Sequence, residues 1–216
     1  MLHYETVSPE LVSYLSTLMS AREFESFRLV GGTALSLQLG HRVSVDIDIF
    51  TDVPYGSIDF KTLERYLKSN FSYVDHFSLN NPAIGMSFSV GGGEESAVKV
   101  DVYYTDHFIR PEVVVDNIRM ATLEEIAAMK IDVVQRGGRK KDFWDIHELL
   151  SKLSINEMLD LHAQRYEYGH DRTLILDKLI DFNIAEDDLE PKCLRGKYWE
   201  FIKEDIEEAV RGIGGR

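Results

Sequence analysis

Leu11, Leu15 and Leu18 follow Ser8-Pro9-Glu10 at three- and four-residue intervals. That spacing predicts one buried helical stripe, with Ser8 as N-cap and Pro9 in the first turn. Residues 27–30 predict a short strand running into Gly31-Gly32, residues 33–39 a short helix, and Gly40 its stop. From 43 to 50 the period falls to two: Val43, Val45, Ile47 and Ile49 alternate with Ser44, Asp46 and Asp48, the pattern of a half-buried strand. Phe60, Leu63 and Leu67 return to helical spacing, and strands are expected near 71–79 and 84–90. Gly91-Gly92-Gly93 supplies a hairpin turn into a strand over 97–104, where Val98, Val100 and Val102 oppose Lys99, Asp101 and Tyr103. After Thr122 the pattern is helical. Thr122-Leu123-Glu124-Glu125 and Ser154-Ile155-Asn156-Glu157 read as capping boxes, a helix between them begins near Asp142, and further helices fill 170–216.

The pattern predicts an α+β fold: a mixed-sheet core over residues 1–119 and a helical half over 120–216 that packs on it. With 44% hydrophobic residues the chain can bury a full core. No apolar run approaches bilayer length, and Met1-Leu2-His3-Tyr4-Glu5 has neither the basic nor the apolar part of a signal peptide. One cysteine, Cys193, excludes an internal disulfide and any multi-cysteine metal cluster; a cytoplasmic location is expected. The net charge of −13 opposes broad binding along a nucleic-acid backbone. Anion binding therefore falls to the local cluster Lys130, Arg136, Arg139, Lys140 and Lys141.

Asp46 and Asp48, at i and i+2 on one strand, converge on one small volume. Paired carboxylates repel, and a hard divalent cation such as Mg²⁺ (or Mn²⁺) relieves the cost. Gly31-Gly32 at a helix start lets backbone N–H groups approach an anion, with the Thr33 hydroxyl beside them. A phosphate cradle followed by a two-carboxylate site is what delivery of a metal–nucleotide to a nucleophile requires. Asp101 supplies a third acid, for metal or as a base. Lys130, Arg136 and Lys141 offer cations for a triphosphate tail, against a structural reading in which Arg136 and Lys141 pair with Asp142 and Asp145 to lock a helix corner. The seven histidines show no ligand spacing for zinc.

Leu29-Val30-Gly31-Gly32-Thr33-Ala34-Leu35 and Arg42-Val43-Ser44-Val45-Asp46-Ile47-Asp48-Ile49-Phe50 resemble the first motif of the AbiEii/AbiGii-type nucleotidyltransferase toxin family. Residues 123–130, Arg136 and Lys141-Asp142-Phe143-Trp144-Asp145-Ile146 are similar to its distal motif. The resemblance implies a polymerase-β-like nucleotidyltransferase core, Mg²⁺, a nucleoside triphosphate and the role of toxin to an antitoxin partner. It assigns Asp46 and Asp48 to the metal and Gly32 and Thr33 to phosphate, and matches Lys130 and Asp142 to the distal lysine and aspartate; the full expected site adds Asp101 to the metal, and Gly31, Arg42, Lys130 and Arg136 to the nucleotide. Lys130 and Asp142 join the three acids in catalysis. The expected reaction moves a nucleotidyl group to a hydroxyl of RNA or protein; the alternative is a fold-mate that binds nucleotide or a partner without turnover. A haloacid-dehalogenase-type phosphatase also begins with Asp-x-Asp, but it wants Thr or Val where Phe50 stands.

Overall fold

The structure is a computed structural model that describes residues 1–76 and 84–213. Seven strands form one mixed sheet: β1 (Arg28–Leu29), β2 (Ile47–Thr51), β3 (Tyr73–His76), β4 (Gly85–Gly91), β5 (Val98–Tyr104), β6 (Val113–Val115) and β7 (Ile118–Met120). Their order is β3-β4-β5-β2-β1-β7-β6. The β2/β5 and β1/β7 ladders are parallel, and the others are antiparallel. Helices α1 (Pro9–Ser20), α2 (Gly31–Leu39) and α3 (Phe60–Asn70) interleave with the first strands; α1 packs on β7, α2 on β2 and α3 on β3 and β4. The later chain folds into α4 (Leu123–Gln135), α5 (Lys140–Leu149), α6 (Ile155–Arg165), α7 (Arg172–Leu179), α8 (Asn183–Glu186) and α9 (Trp199–Arg211).

Alternation places the chemistry. Ile47, Ile49, Val98, Val100 and Val102 are buried in the core, because side chains two apart share a face of the pleat. Asp48, Phe50, Lys99, Asp101 and Tyr103 are thereby turned to the opposite face. The β2/β5 register pairs Asp48 with Asp101 and Phe50 with Tyr103. One apolar core runs from Leu11 and Leu15 through the sheet to Ile146, Trp144 and Trp199. Residue 119 lies inside β7, so this core and the sheet both continue across the 119/120 position.

Four local differences from the sequence pattern have physical causes. The glycines are the first turn of α2 rather than a loop before it. Strand pairing in the 43–50 stretch starts only at Ile47, because the Arg42–Ser44 backbone is held elsewhere. Val43 N–H donates to the Lys192 carbonyl, Ser44 N–H to Thr6, and Arg42 bridges to Cys193; Val45 is left exposed. Thr122 caps the Glu125 N–H, but Glu125 does not complete a capping box. Its carboxylate accepts the N–H groups of Ile109 and Arg110 and pairs with buried Arg165. The β6–β7 hairpin turns on Asp116 and Asn117, both at positive φ, a turn those residue types tolerate. The strand expected over 71–79 is β3, and its positions 77–79 lie outside the described residues.

Candidate active site

The start of α2, the lead into β2, and the facing sides of α4 and α5 enclose a cleft of about 220 Å³. Gly31, Gly32, Ser44, Asp46 and Asp48 form one wall; Lys130, Lys141 and Asp142 form the other. Phe50, Ile126, Met129 and Val133 add an apolar side.

Each glycine is required by a charged neighbour. Gly31 sits at φ +66°, and a Cβ there would stand 2.8 Å from Asp48 Oδ2. A Cβ on Gly32 would fall on the Arg42 guanidinium. Having no side chains, the two residues admit a carboxylate and a guanidinium against the helix start. Val30 provides no side-chain cap, so the first N–H groups of α2 have no intrahelical or capping acceptor and face an anion-binding position.

Asp48 is half-buried, and its carboxyl is pushed up to about 6, first by desolvation and then by the charges of Asp101 and Asp46; Lys130 and Lys141 pull the other way. Asp101 is its register partner across β5. Asp101 Oδ2 takes the Lys99 ammonium at 2.5 Å, while Oδ1 is buried without a hydrogen-bond partner. Among the described residues no three His, Cys, Asp or Glu side chains gather into a ready metal cage. The donor set still fits Mg²⁺, which binds one or two carboxylates and completes its shell with substrate phosphates and water. The orphaned Asp101 oxygen and the mutual repulsion at Asp48 are the features a hard cation would relieve.

Beneath this surface lies a buried ion network. Asp145 receives Arg42 through Nε at 2.7 Å and Nη2 at 2.8 Å, His41 Nε2 at 2.8 Å and Lys130 Nζ at 2.6 Å. Burial alone would raise the Asp145 carboxyl, but Arg42, Lys130 and His41 hold it well below the usual range. Burial likewise pulls Lys130 down, and Asp145 and Asp142 outweigh it. Asp142 accepts Lys130 Nζ at 2.6 Å with one oxygen and the Arg139 N–H at 3.0 Å with the other, capping α5. The helix corner is therefore locked by Lys130 and Arg42, rather than by Arg136 and Lys141.

The sequence-derived set is thus partly gathered. Gly31, Gly32, Arg42, Asp46, Asp48, Lys130 and Asp142 line one cleft, and Asp101 adjoins it through Asp48. Thr33 is buried, with its hydroxyl against the Asp46 carbonyl and Ser44 Oγ; it shapes the approach to Asp46 from beneath. Arg136 is exposed at the C-terminal end of α4, paired with Asp132, and does not line the cleft. Lys140 is buried near the Trp199 ring, and Arg139 pairs with Asp188 at 3.0 Å. Lys141 lines the cleft and forms no ion pair among the described residues. His41, not among the sequence-derived candidates, belongs to the Asp145 network; its one signal is its place beside Arg42. A second hollow, about 280 Å³, shares Arg42, Ser44, Asp46 and Lys141 with the cleft and extends to Leu189 and Pro191. A larger one, about 470 Å³, lies between α8 and α9. Its lining includes Asp181, Glu186, Glu200, Glu204 and Glu207, a set that would repel a nucleotide.

The chain was compared as a whole with known proteins. The family described as "Nucleotidyl transferase AbiEii toxin, Type IV TA system" matches residues 13–211. An uncharacterized protein of Aquifex aeolicus is 28% identical over 207 residues, covering 91% of this chain and 92% of its own length. Among solved structures, a putative nucleotidyltransferase from Helicobacter pylori superposes with a TM-score of 0.63 at 19% identity, covering 94% of this chain and 91% of that one. The nucleotidyltransferase toxin MenT4 from Mycobacterium tuberculosis superposes at 0.58 and 12% identity, covering 95% and 84%. At these identities the two structures establish the shared nucleotidyltransferase-like fold.

Proposed function

The chain belongs to the AbiEii nucleotidyltransferase toxin family and is a nucleotidyltransferase, and we propose that its cleft transfers a nucleotidyl group from a Mg²⁺- or Mn²⁺-bound nucleoside triphosphate to a hydroxyl of RNA or protein. One observation carries the reading: the uncapped helix start at Gly31-Gly32 and the acids Asp46 and Asp48 share a cleft with Lys141. Asp46 and Asp48 hold the metal, with Asp101 as third carboxylate. When bound, the metal supplies positive charge to the triphosphate and lowers the cost of a nucleophilic oxyanion.

The N–H groups of the α2 first turn hold phosphate, and the Phe50–Met129 side takes the base. The acceptor enters from the hollow that meets the cleft at Asp46. Its hydroxyl oxygen bonds to the α-phosphorus, its proton passes to Asp101, the α–β phosphoanhydride bond breaks, and pyrophosphate leaves toward Lys141. Lys130 is already neutralised by Asp142 and Asp145. It acts mainly by fixing α4 against α5, and so by setting the width of the cleft. Arg42 does the same for α2. No helix among the described residues is long and apolar enough to cross a membrane. The reading places the protein in the cytoplasm as the toxin of a pair with an antitoxin.

The test is transfer of label from each α-³²P-labelled nucleoside triphosphate, with Mg²⁺ or Mn²⁺, to total RNA or to a protein extract. Label should enter one of these pools and disappear with chelator and in Asp46→Asn and Asp48→Asn. Transfer that survives both substitutions would remove the acids from the reaction. Nucleotide binding without transfer to either pool would favour a binding-only fold-mate.

A further inference from the structure

Lys99 and Asp101 stand two residues apart on β5, on the face opposite Val98, Val100 and Val102. A strand separates such residues by roughly 7 Å at Cα, so the lysine stem folds back along the strand to bring Nζ within 2.5 Å of Asp101 Oδ2. The side chain of Asp101 is 17% exposed and that of Lys99 48% exposed. The acid is anchored; the ammonium has open water beside it. Across the ladder Asp101 faces Asp48, with Asp46 just before the strand. The other cations near these acids are placed differently: Arg42 is occupied by Asp145, Lys130 by Asp142 and Asp145, and Lys141 lines the opposite wall. Lys99 is thus the cation that the sheet itself contributes, and it sits on one oxygen of the third acid.

We propose that Lys99 is a resident counter-ion that competes with the divalent cation for Asp101, and so sets the affinity of the carboxylate cluster for metal. The proposal rests on the reading of Asp46, Asp48 and Asp101 as a metal site. While no metal is bound, the ammonium offsets the repulsion among three acids on adjacent strands. A divalent cation brings twice the charge to the same oxygens, and the flexible lysine stem lets the ammonium retire to water without disturbing β5. Metal binding then includes a displacement step, and the site stays weak for metal alone until substrate phosphates add further ligands.

The experiment is a Mn²⁺ titration of the whole chain without nucleotide, reading free Mn²⁺ by electron paramagnetic resonance. It is run on the wild type, Lys99→Met, Lys99→Arg and Asp48→Asn. Lys99→Met should bind Mn²⁺ about fivefold more tightly, the weight of one half-exposed ion pair. Lys99→Arg, which keeps the charge, should remain within about twofold of the wild type. The methionine variant should also melt lower than the wild type with chelator present and recover when Mn²⁺ is added. Equal or weaker Mn²⁺ binding by Lys99→Met, with binding still lost in Asp48→Asn, would overturn the counter-ion role and leave the metal site standing. Wild-type binding that is unchanged in Asp48→Asn, or absent even when a non-hydrolysable nucleoside triphosphate is added, would overturn the metal reading itself.

Discussion

Replacing Asp48 with asparagine should make the metal-free protein more stable, by an amount that depends on pH. Asp48 is half-buried beside Asp101 and Asp46, and desolvation together with their charges pushes its carboxyl up to about 6, against 3.8 for an aspartate free in the unfolded chain. A difference of about two pH units corresponds to roughly 3 kcal/mol of resistance to ionisation. Because the folded value is the higher one, the folded protein takes up the proton first. The cost is absent below about pH 3.8, grows through the interval, and is complete above about pH 6. Asparagine mimics the neutral acid and avoids the cost. At pH 8 the variant should be more stable by about 3 kcal/mol, and at pH 5 by about half of that. In a chain of this length the larger figure corresponds to roughly 6–12 °C in Tm. Urea or thermal melts of both proteins at pH 5 and pH 8, with chelator present, measure the two gaps. Saturating Mg²⁺ or Mn²⁺ should narrow the gap at pH 8, since only the wild type retains the full set of ligands. Equal stability at pH 8, or a gap that does not change with pH, would refute the account of Asp48 as a strained carboxylate.

Lys130→Ala leaves Asp142 and Asp145 without the cation they share and should cost about 3–5 kcal/mol in urea unfolding; a loss below about 1 kcal/mol would take Lys130 out of its structural role. Lys141→Ala should melt within about 0.5 kcal/mol of the wild type while binding triphosphate more weakly, and monophosphate less so, in equilibrium titrations; equal weakening of both would move Lys141 away from the distal phosphates. Gly32→Ala places a methyl group where the Arg42 guanidinium lies, so it should destabilise by about 1–3 kcal/mol and abolish label transfer. A variant of full activity would show that Arg42 can move at no cost.

The local pattern carried a great deal. Period-two alternation at Val98–Tyr104 put Asp101 on the face away from the core, and the helical stripes of α1 and α3 were legible residue by residue, because burial on one face leaves its period in the chain. The glycines, the Asp46/Asp48 pair and the distal Lys130–Asp145 stretch were sufficient for the family. Other facts depend on contacts between segments far apart in sequence. The β2/β5 register sets Asp101 beside Asp48 across 53 positions, and no local pattern states a register. Arg42, which does line the cleft, and its neighbour His41 are tied into a buried ion network only because α5 delivers Asp145 to them across more than a hundred positions. Lys130 reads as a ligand for phosphate, yet the fold neutralises it with two carboxylates. Lys141, one residue from Asp142, is left facing the cleft. Charge type and spacing are written in the chain, but which charges are neutralised and which stay available depends on distances that only tertiary packing creates.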